Sequence, residues 1–176
     1  MGARLLPRNL PELFSYSLVL EREAARRYAE LERFLRGHGA SALAAEFEKL
    51  GREEREQYEV IALGTAGRAL PELAGWELGW YFGGEAVSAG ATPRSVVDAL
   101  AIALGFERRT QSFYNDVAAN ARADAVRAFA AEMSADEQRH IARLEALLAQ
   151  EDALAALEGD EDAEPGEGDG LPPLNA

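Results

Sequence analysis

The chain has 176 residues, enough for one domain with a full hydrophobic core, and carries a formal net charge of −13. It contains no cysteine, which excludes disulfides, thiolate zinc sites, cysteine-ligated iron–sulfur centres and thiol catalysis, and leaves oxygen and nitrogen atoms to hold any metal. Residues 151–176 contain nine acidic and no basic residues, so residues 1–150 carry a net charge of only −4, and this balance argues against nucleic acid as a partner.

Helical periodicity dominates the chain, and no stretch alternates with the two-residue period of a half-buried strand, so we predict an all-α protein. The first helix is predicted from about Pro11, in its opening turn, to about Arg36, where glycines follow. The second is predicted from a cap at Ser41 to about Leu63. Because the connection between them is short, the two helices should form an antiparallel hairpin.

A second hairpin is predicted in the other half of the chain. Its first helix should open with Thr92 as the cap and Pro93 at the first helical position. Asp124 is the predicted cap of the fourth helix, which should run to about Leu157. The turn near Arg122 is short, so these two helices should also be antiparallel and complete a four-helix bundle.

The two hairpins are joined by residues 64–92, which we predict to be a long, partly helical crossover. Three aromatic residues there should pack the crossover onto the bundle or onto a second subunit, and these are Trp76, Trp80 and Tyr81. The bundle domain is predicted to span residues 1–157, and residues 158–176 should be a flexible acidic tail. The Leu-Pro-Pro-Leu sequence at 171–174 has the form of a short docking peptide, and plain disorder is the alternative that we favour.

Four glutamates stand where the helices should be apolar: Glu21, Glu54, Glu107 and Glu137. Glu21 lies seventeen residues before the first turn and Glu54 sixteen after it, and the other two each lie fifteen residues from the second turn. With a rise of about 1.5 Å per residue, the carboxylates of each hairpin reach nearly the same height. No arginine or lysine falls on the predicted inward stripes, and burying unpaired carboxylates costs several kcal/mol each. A cation in the core is therefore expected.

Further polar residues accompany these glutamates. His140 follows Glu137 by three residues and so shares its helix face, whereas the matching position of the second helix is Gln57. Tyr28 and Tyr114 each follow a glutamate by seven residues. These tyrosines either hydrogen-bond the carboxylates of metal ligands or serve as core aromatics, and the sequence leaves both alternatives open.

One Glu from each of two helices plus Glu-x-x-His from the other two is the ligand set of di-iron and di-manganese carboxylate bundles. The chain resembles the rubrerythrin branch of the ferritin-like superfamily, and the segments that carry the likeness are residues 21–28, 54–57, 107–114 and 137–140. The resemblance implies two iron ions, with manganese or zinc as other choices, at a centre that reduces peroxide or oxidises iron(II), and it implies a homodimer. The ligands that it implies are Glu21, Glu54, Glu107, Glu137 and His140.

Three departures from this pattern bear on function. Gln57 stands where the family has its other histidine, and an amide oxygen is a poorer iron ligand than imidazole, which makes Gln57 a doubtful ligand. Thr110 stands where rubrerythrins carry a further carboxylate. The rubredoxin-type iron centre is missing, so an enzyme would need a separate electron donor. The alternative is a non-enzymatic metal-binding or interaction protein with a degraded site.

The location of the protein is predicted from what the sequence lacks. Residues 1–11 have no apolar signal core, and the longest apolar run, residues 99–106, is too short to cross a bilayer. We therefore expect a soluble cytoplasmic protein without a membrane partner.

Overall fold

The computed structural model describes residues 6–73 and 92–161, which form four α-helices and no strand. The helices are α1 (Leu10–Gly37), α2 (Ser41–Gly64), α3 (Val96–Asn120) and α4 (Asp124–Glu161). Helix α1 packs along α2, and α3 packs along α4, while α1 also contacts α3 and α4. The predicted all-α bundle of two antiparallel hairpins is confirmed. No helix in the described ranges is both long and apolar enough to span a membrane.

The first helix of the first hairpin begins as predicted, but the cap of the second helix is a different residue from the one predicted. Asn9 caps α1 by accepting a hydrogen bond from the backbone N–H of Glu12 at 2.9 Å. At the other end Gly39 has a φ of 78°, and the N–H of Ala40 bonds back to the carbonyl of Leu35. This turn leaves Ala40 as the N-cap of α2 without a side-chain bond. The prediction that Ser41 is the cap was wrong, because Ser41 is already the first helical residue.

The second hairpin starts later than the sequence suggested. Ser95 caps α3 by accepting from the N–H of Asp98 at 3.0 Å, so Thr92 and Pro93 precede the helix and the prediction of their cap was wrong. The backbone carbonyl of Ala123 accepts the first bonds of α4. Asp124 is therefore the first helical residue and not the predicted cap.

The core consists of two apolar clusters, one toward each end of the bundle, with a polar layer between them. Representative members of the first are Leu13, Phe113, Val117 and Val126. Representative members of the second are Leu35, Phe47, Leu100 and Leu144. Close approach of α1 and α2 beside the polar layer depends on Gly51, since a Cβ there would lie 2.9 Å from the Cβ of Tyr28.

Several predictions fall partly or wholly outside the described residues. The aromatic group Trp76, Trp80 and Tyr81 lies there, as do residues 162–176 with the Leu-Pro-Pro-Leu sequence. The described parts of the crossover, residues 65–73 and 92–95, are turns and irregular segments. Helix α4 continues to Glu161, so residues 158–161 of the predicted tail are helical.

Candidate metal centre

Each of the four helices contributes one buried glutamate to the polar layer. Their side chains are only 1–3% exposed, and they are Glu21 of α1, Glu54 of α2, Glu107 of α3 and Glu137 of α4. His140 of α4 is buried beside them at 7% exposure. Glu54 and Glu137 form ion pairs with His140, and within the described part of the chain none of the four glutamates pairs with an arginine or lysine.

Four of these residues converge on one point. Single ligand atoms of Glu54, Glu107, Glu137 and His140 all lie within 4.8 Å of one another. One buried atom of each residue also lacks a hydrogen bond, namely Glu54 Oε1, Glu107 Oε2, Glu137 Oε2 and His140 Nδ1. A buried polar atom without a hydrogen-bond partner lowers the stability of the fold by about 1–3 kcal/mol. Four such atoms in one place therefore indicate a binding site for a cation. Three carboxylates and one imidazole form a donor set that suits iron, manganese or zinc.

The imidazole of His140 is held with its two nitrogens in different surroundings. Nδ1 lies 2.6 Å from Glu54 Oε1, but the two atoms are not aligned as a hydrogen bond. Nε2 lies 3.2 Å from a carboxylate oxygen of Glu53, which Arg143 holds in turn at 3.0 Å. The ring therefore presents Nδ1 to the buried carboxylates and Nε2 to the outer edge of the bundle.

The two tyrosines bind the glutamates in a crossed arrangement. The hydroxyl of Tyr28, on α1, donates to Glu107 of α3, and the hydroxyl of Tyr114, on α3, donates to Glu21 of α1 at 2.8 Å. Tyr28 also packs edge-on against Phe47, with ring centroids 5.6 Å apart. Both alternatives left open by the sequence apply together, since the tyrosines are core aromatics and also orient carboxylates.

Burial and mutual repulsion perturb the pKa values of this layer. Burial, followed by the charge of Glu54, raises the pKa of Glu107 to about 7. The same two causes raise the pKa of Glu21 well above its usual range, and burial followed by the charge of Glu107 does so for Glu137. Burial lowers the pKa of His140, but the neighbouring carboxylates, chiefly Glu54, outweigh it and raise that pKa to about 9. Without a cation, these carboxylates and the imidazole of His140 therefore bind protons more tightly than they would in water.

Glu21 and Gln57 lie outside the group of four. Glu21 faces Glu54, whose charge contributes to its raised pKa. The amide Nε2 of Gln57 donates to Asp136 Oδ2 at 2.8 Å and lies 3.2 Å from the sulfur of Met133. Thr110 is buried and donates to the carbonyl of Phe106 in its own helix at 3.2 Å.

Two residues beside the polar layer were not identified from the sequence. Glu53 and Asp136 each immediately precede a predicted ligand glutamate, and each contacts the side chain that ends the Glu-x-x-His or Glu-x-x-Gln motif of the other helix. The signal was present as an acidic pair, Glu-Glu at 53–54 and Asp-Glu at 136–137. A groove of about 510 Å³ between α2 and α4 exposes this edge of the centre, with Glu53, Gln57, Asp136 and His140 among its walls.

Comparisons with known proteins support the fold. No family model matches the chain, and no curated protein matches it. Among solved structures, the chain is similar to an uncharacterized conserved protein from Magnetospirillum magnetotacticum MS-1, with a TM-score of 0.70 and 24% sequence identity. The similarity covers 81% of this chain and 95% of that protein. The two proteins therefore share a fold, and in this fold the chain buries a carboxylate and histidine cluster that could hold a metal ion.

Proposed function

We propose that the chain is a di-iron carboxylate oxidoreductase of the rubrerythrin-like type, which reduces peroxide or oxidises iron(II). One observation carries the proposal: four buried ligand atoms without hydrogen bonds, from Glu54, Glu107, Glu137 and His140, lie within 4.8 Å of one another. An ordinary polar core would pair these atoms with donors or with a basic side chain.

The residues could hold two ions, and the structure gives more evidence for the first position than for the second. Glu54, Glu107, Glu137 and His140 would hold the first ion. Glu21, together with Glu54 and Glu137, would hold the second, since Glu21 faces Glu54. Four carboxylates balance the charge of two divalent ions, which removes the repulsion that raises the pKa of Glu107 to about 7.

Two iron(II) ions held there would supply the two electrons that reduce one hydrogen peroxide to two waters, a reaction that also consumes two protons. The surrounding residues hold the ligands in position and shield the centre. Tyr28 holds Glu107 in place through its hydroxyl, and the apolar clusters on both sides exclude bulk water. His140 Nε2 contacts Glu53, which is 46% exposed at the groove, so Glu53 orients the imidazole with Nδ1 toward the buried layer.

Electrons for repeated turnover would come from a separate protein, because a chain without cysteine has no iron–sulfur or rubredoxin-type centre of its own. The homodimer and the cytoplasmic location remain predictions from the sequence. Both are independent of the centre and can be tested separately.

The test combines metal analysis with peroxide consumption. Protein from iron-replete cells should contain close to two irons per chain, and protein loaded anaerobically with iron(II) should consume one hydrogen peroxide per two irons. Glu107→Gln should lower both values, while Glu59→Gln, an exposed change on α2, should leave them unchanged. Less than one metal per chain with intact helicity would contradict the proposal, as would equal peroxide consumption by the Glu107→Gln variant.

A second candidate is a non-enzymatic protein that binds one metal. The observation in its favour is that Gln57 stands where a second histidine would be and bonds to Asp136. The chain therefore offers one group of four candidate ligands, with His140 as its imidazole. This candidate predicts one tightly held ion and no two-electron reaction with peroxide. Gln57→His separates the candidates, because a large gain in metal content or peroxidase rate indicates a degraded site, and a loss of activity indicates a working variant site.

A further inference from the structure

We infer that Gln57 is a metal ligand through its amide oxygen and that Asp136 fixes the amide in this orientation. The second position of the proposed centre would then have only oxygen ligands, whereas the first contains the imidazole of His140. The inference rests on the proposed function, because it concerns the second ion of the same centre.

The first support is a mirrored arrangement of α2 and α4. Glu53 of α2 contacts the Nε2 atom of His140 at 3.2 Å, and Asp136 of α4 contacts the Nε2 atom of Gln57 at 2.8 Å. Each of these acidic residues immediately precedes a ligand glutamate in the sequence. Gln57 thus has an acidic neighbour on α4, as His140 has one on α2, and an abandoned ligand position would not require one.

The acidic partners are themselves held by arginines of α4. Arg143 lies 3.0 Å from one oxygen of Glu53, and Arg139 lies 2.6 Å from Oδ1 of Asp136. These ion pairs fix the positions of the two carboxylates, whose oxygens face the opposite motif as hydrogen-bond acceptors. A fixed acceptor at this place orients the side chain that it contacts.

The acceptor determines which end of the Gln57 amide faces it. An ionised carboxylate accepts hydrogen bonds but donates none, so the nitrogen and not the oxygen of Gln57 must lie against Asp136. Sulfur of Met133, the other contact of this nitrogen, is also an acceptor. The amide oxygen lies on the opposite side of the amide carbon, and no donor within residues 6–73 and 92–161 bonds it. It is therefore the atom left to bind a cation.

The two positions should differ in metal preference. Imidazole favours zinc and iron, whereas carboxylate and carbonyl oxygens suit manganese and magnesium. A centre with His140 on one side and Gln57 on the other should hold zinc preferentially at the first position and accept manganese at the second. The difference would make the centre asymmetric even though α2 and α4 present matching motifs.

The test uses the full chain, freed of metal and mixed with one equivalent each of zinc(II) and manganese(II). Crystals measured at both absorption edges should show zinc beside His140 and manganese beside Gln57, and the manganese affinity can be followed by electron paramagnetic resonance. Gln57→Leu should weaken manganese binding more than ten-fold and leave zinc in place, while Gln57→His should admit zinc at both positions. Circular dichroism confirms that each variant is folded.

Two matched variants address the orienting carboxylates. Asp136→Asn should lower manganese affinity about ten-fold with little effect on zinc affinity. Glu53→Gln should lower zinc affinity about ten-fold with little effect on manganese affinity. The inference is overturned if the Gln57→Leu variant binds manganese as tightly as the wild type, or if zinc fills both wild-type positions equally. Those results leave the proposed function intact as long as zinc occupies the position beside His140, whereas failure to bind either metal would overturn both.

Discussion

The metal-free protein should lose stability as the pH rises from 5 to 9, which is a direct consequence of the carboxylate layer. Burial, followed by repulsion from Glu54, raises the pKa of Glu107 from its ordinary value of 4.5 to about 7. The folded chain thus holds this proton more tightly than the unfolded chain does. Its stabilising contribution is complete below pH 4.5 and is lost as the pH rises through 7.

The size of the effect follows from the two pKa values. The loss for Glu107 is roughly 3 kcal/mol of unfolding free energy, because each pKa unit corresponds to about 1.4 kcal/mol. His140 acts in the same direction at higher pH, since neighbouring carboxylates outweigh its burial and raise its pKa from 6.5 to about 9. Its contribution is complete below pH 6.5 and is lost through pH 9. Both groups interact with Glu54, so the two losses do not simply add.

Urea denaturation of the metal-free protein at several pH values between 5 and 9 measures this slope. Glu107→Gln, which is neutral throughout, should flatten the slope between pH 5 and 8, while Glu59→Gln at an exposed site should keep it. Saturating manganese(II) should reverse the trend, because metal binding requires deprotonated ligands. Metal-free stability that rises between pH 5 and 7 would refute the reasoning.

Three further substitutions test the supporting structure. Tyr28→Phe removes the hydroxyl that donates to Glu107 and should lower metal affinity about ten-fold by calorimetric titration; unchanged affinity would contradict an orienting role. Gly51→Ala places a Cβ 2.9 Å from that of Tyr28 and should destabilise the protein by about 1–3 kcal/mol, whereas Gly64→Ala meets no atom within 4 Å and should not lower the melting temperature. Ser95→Ala should cost about 1 kcal/mol in urea denaturation by removing the cap of α3, and no change would argue against that cap.

The sequence was sufficient to predict the bundle and the residues of its polar layer. Helix length and turn position fix the height of a side chain along the axis, since each residue rises by about 1.5 Å. Two short turns were enough to place Glu54 with Glu107 and Glu137, and helical spacing added His140. The wrong cap assignments at Ser41, Thr92 and Asp124 did not matter here, because a shift of a few residues at a helix end leaves its interior spacing unchanged.

Contacts between helices were harder to predict. Spacing along one helix suggested that Tyr28 and Tyr114 could bind carboxylates, but their crossed bonds to Glu107 and Glu21 depend on how α1 rotates against α3. The role of Asp136 likewise depends on α2 and α4 presenting their motifs to each other across the groove. Such relations follow from packing, which periodicity within one helix does not specify.

The most direct test of the account is anomalous scattering at the iron edge from a crystal of protein purified from iron-replete cells. We expect one iron peak among the unpaired atoms of Glu54, Glu107, Glu137 and His140, and a second beside Glu21. A crystal with the same four-helix bundle and the same buried carboxylates, but with no anomalous density in the polar layer, would contradict the central claim.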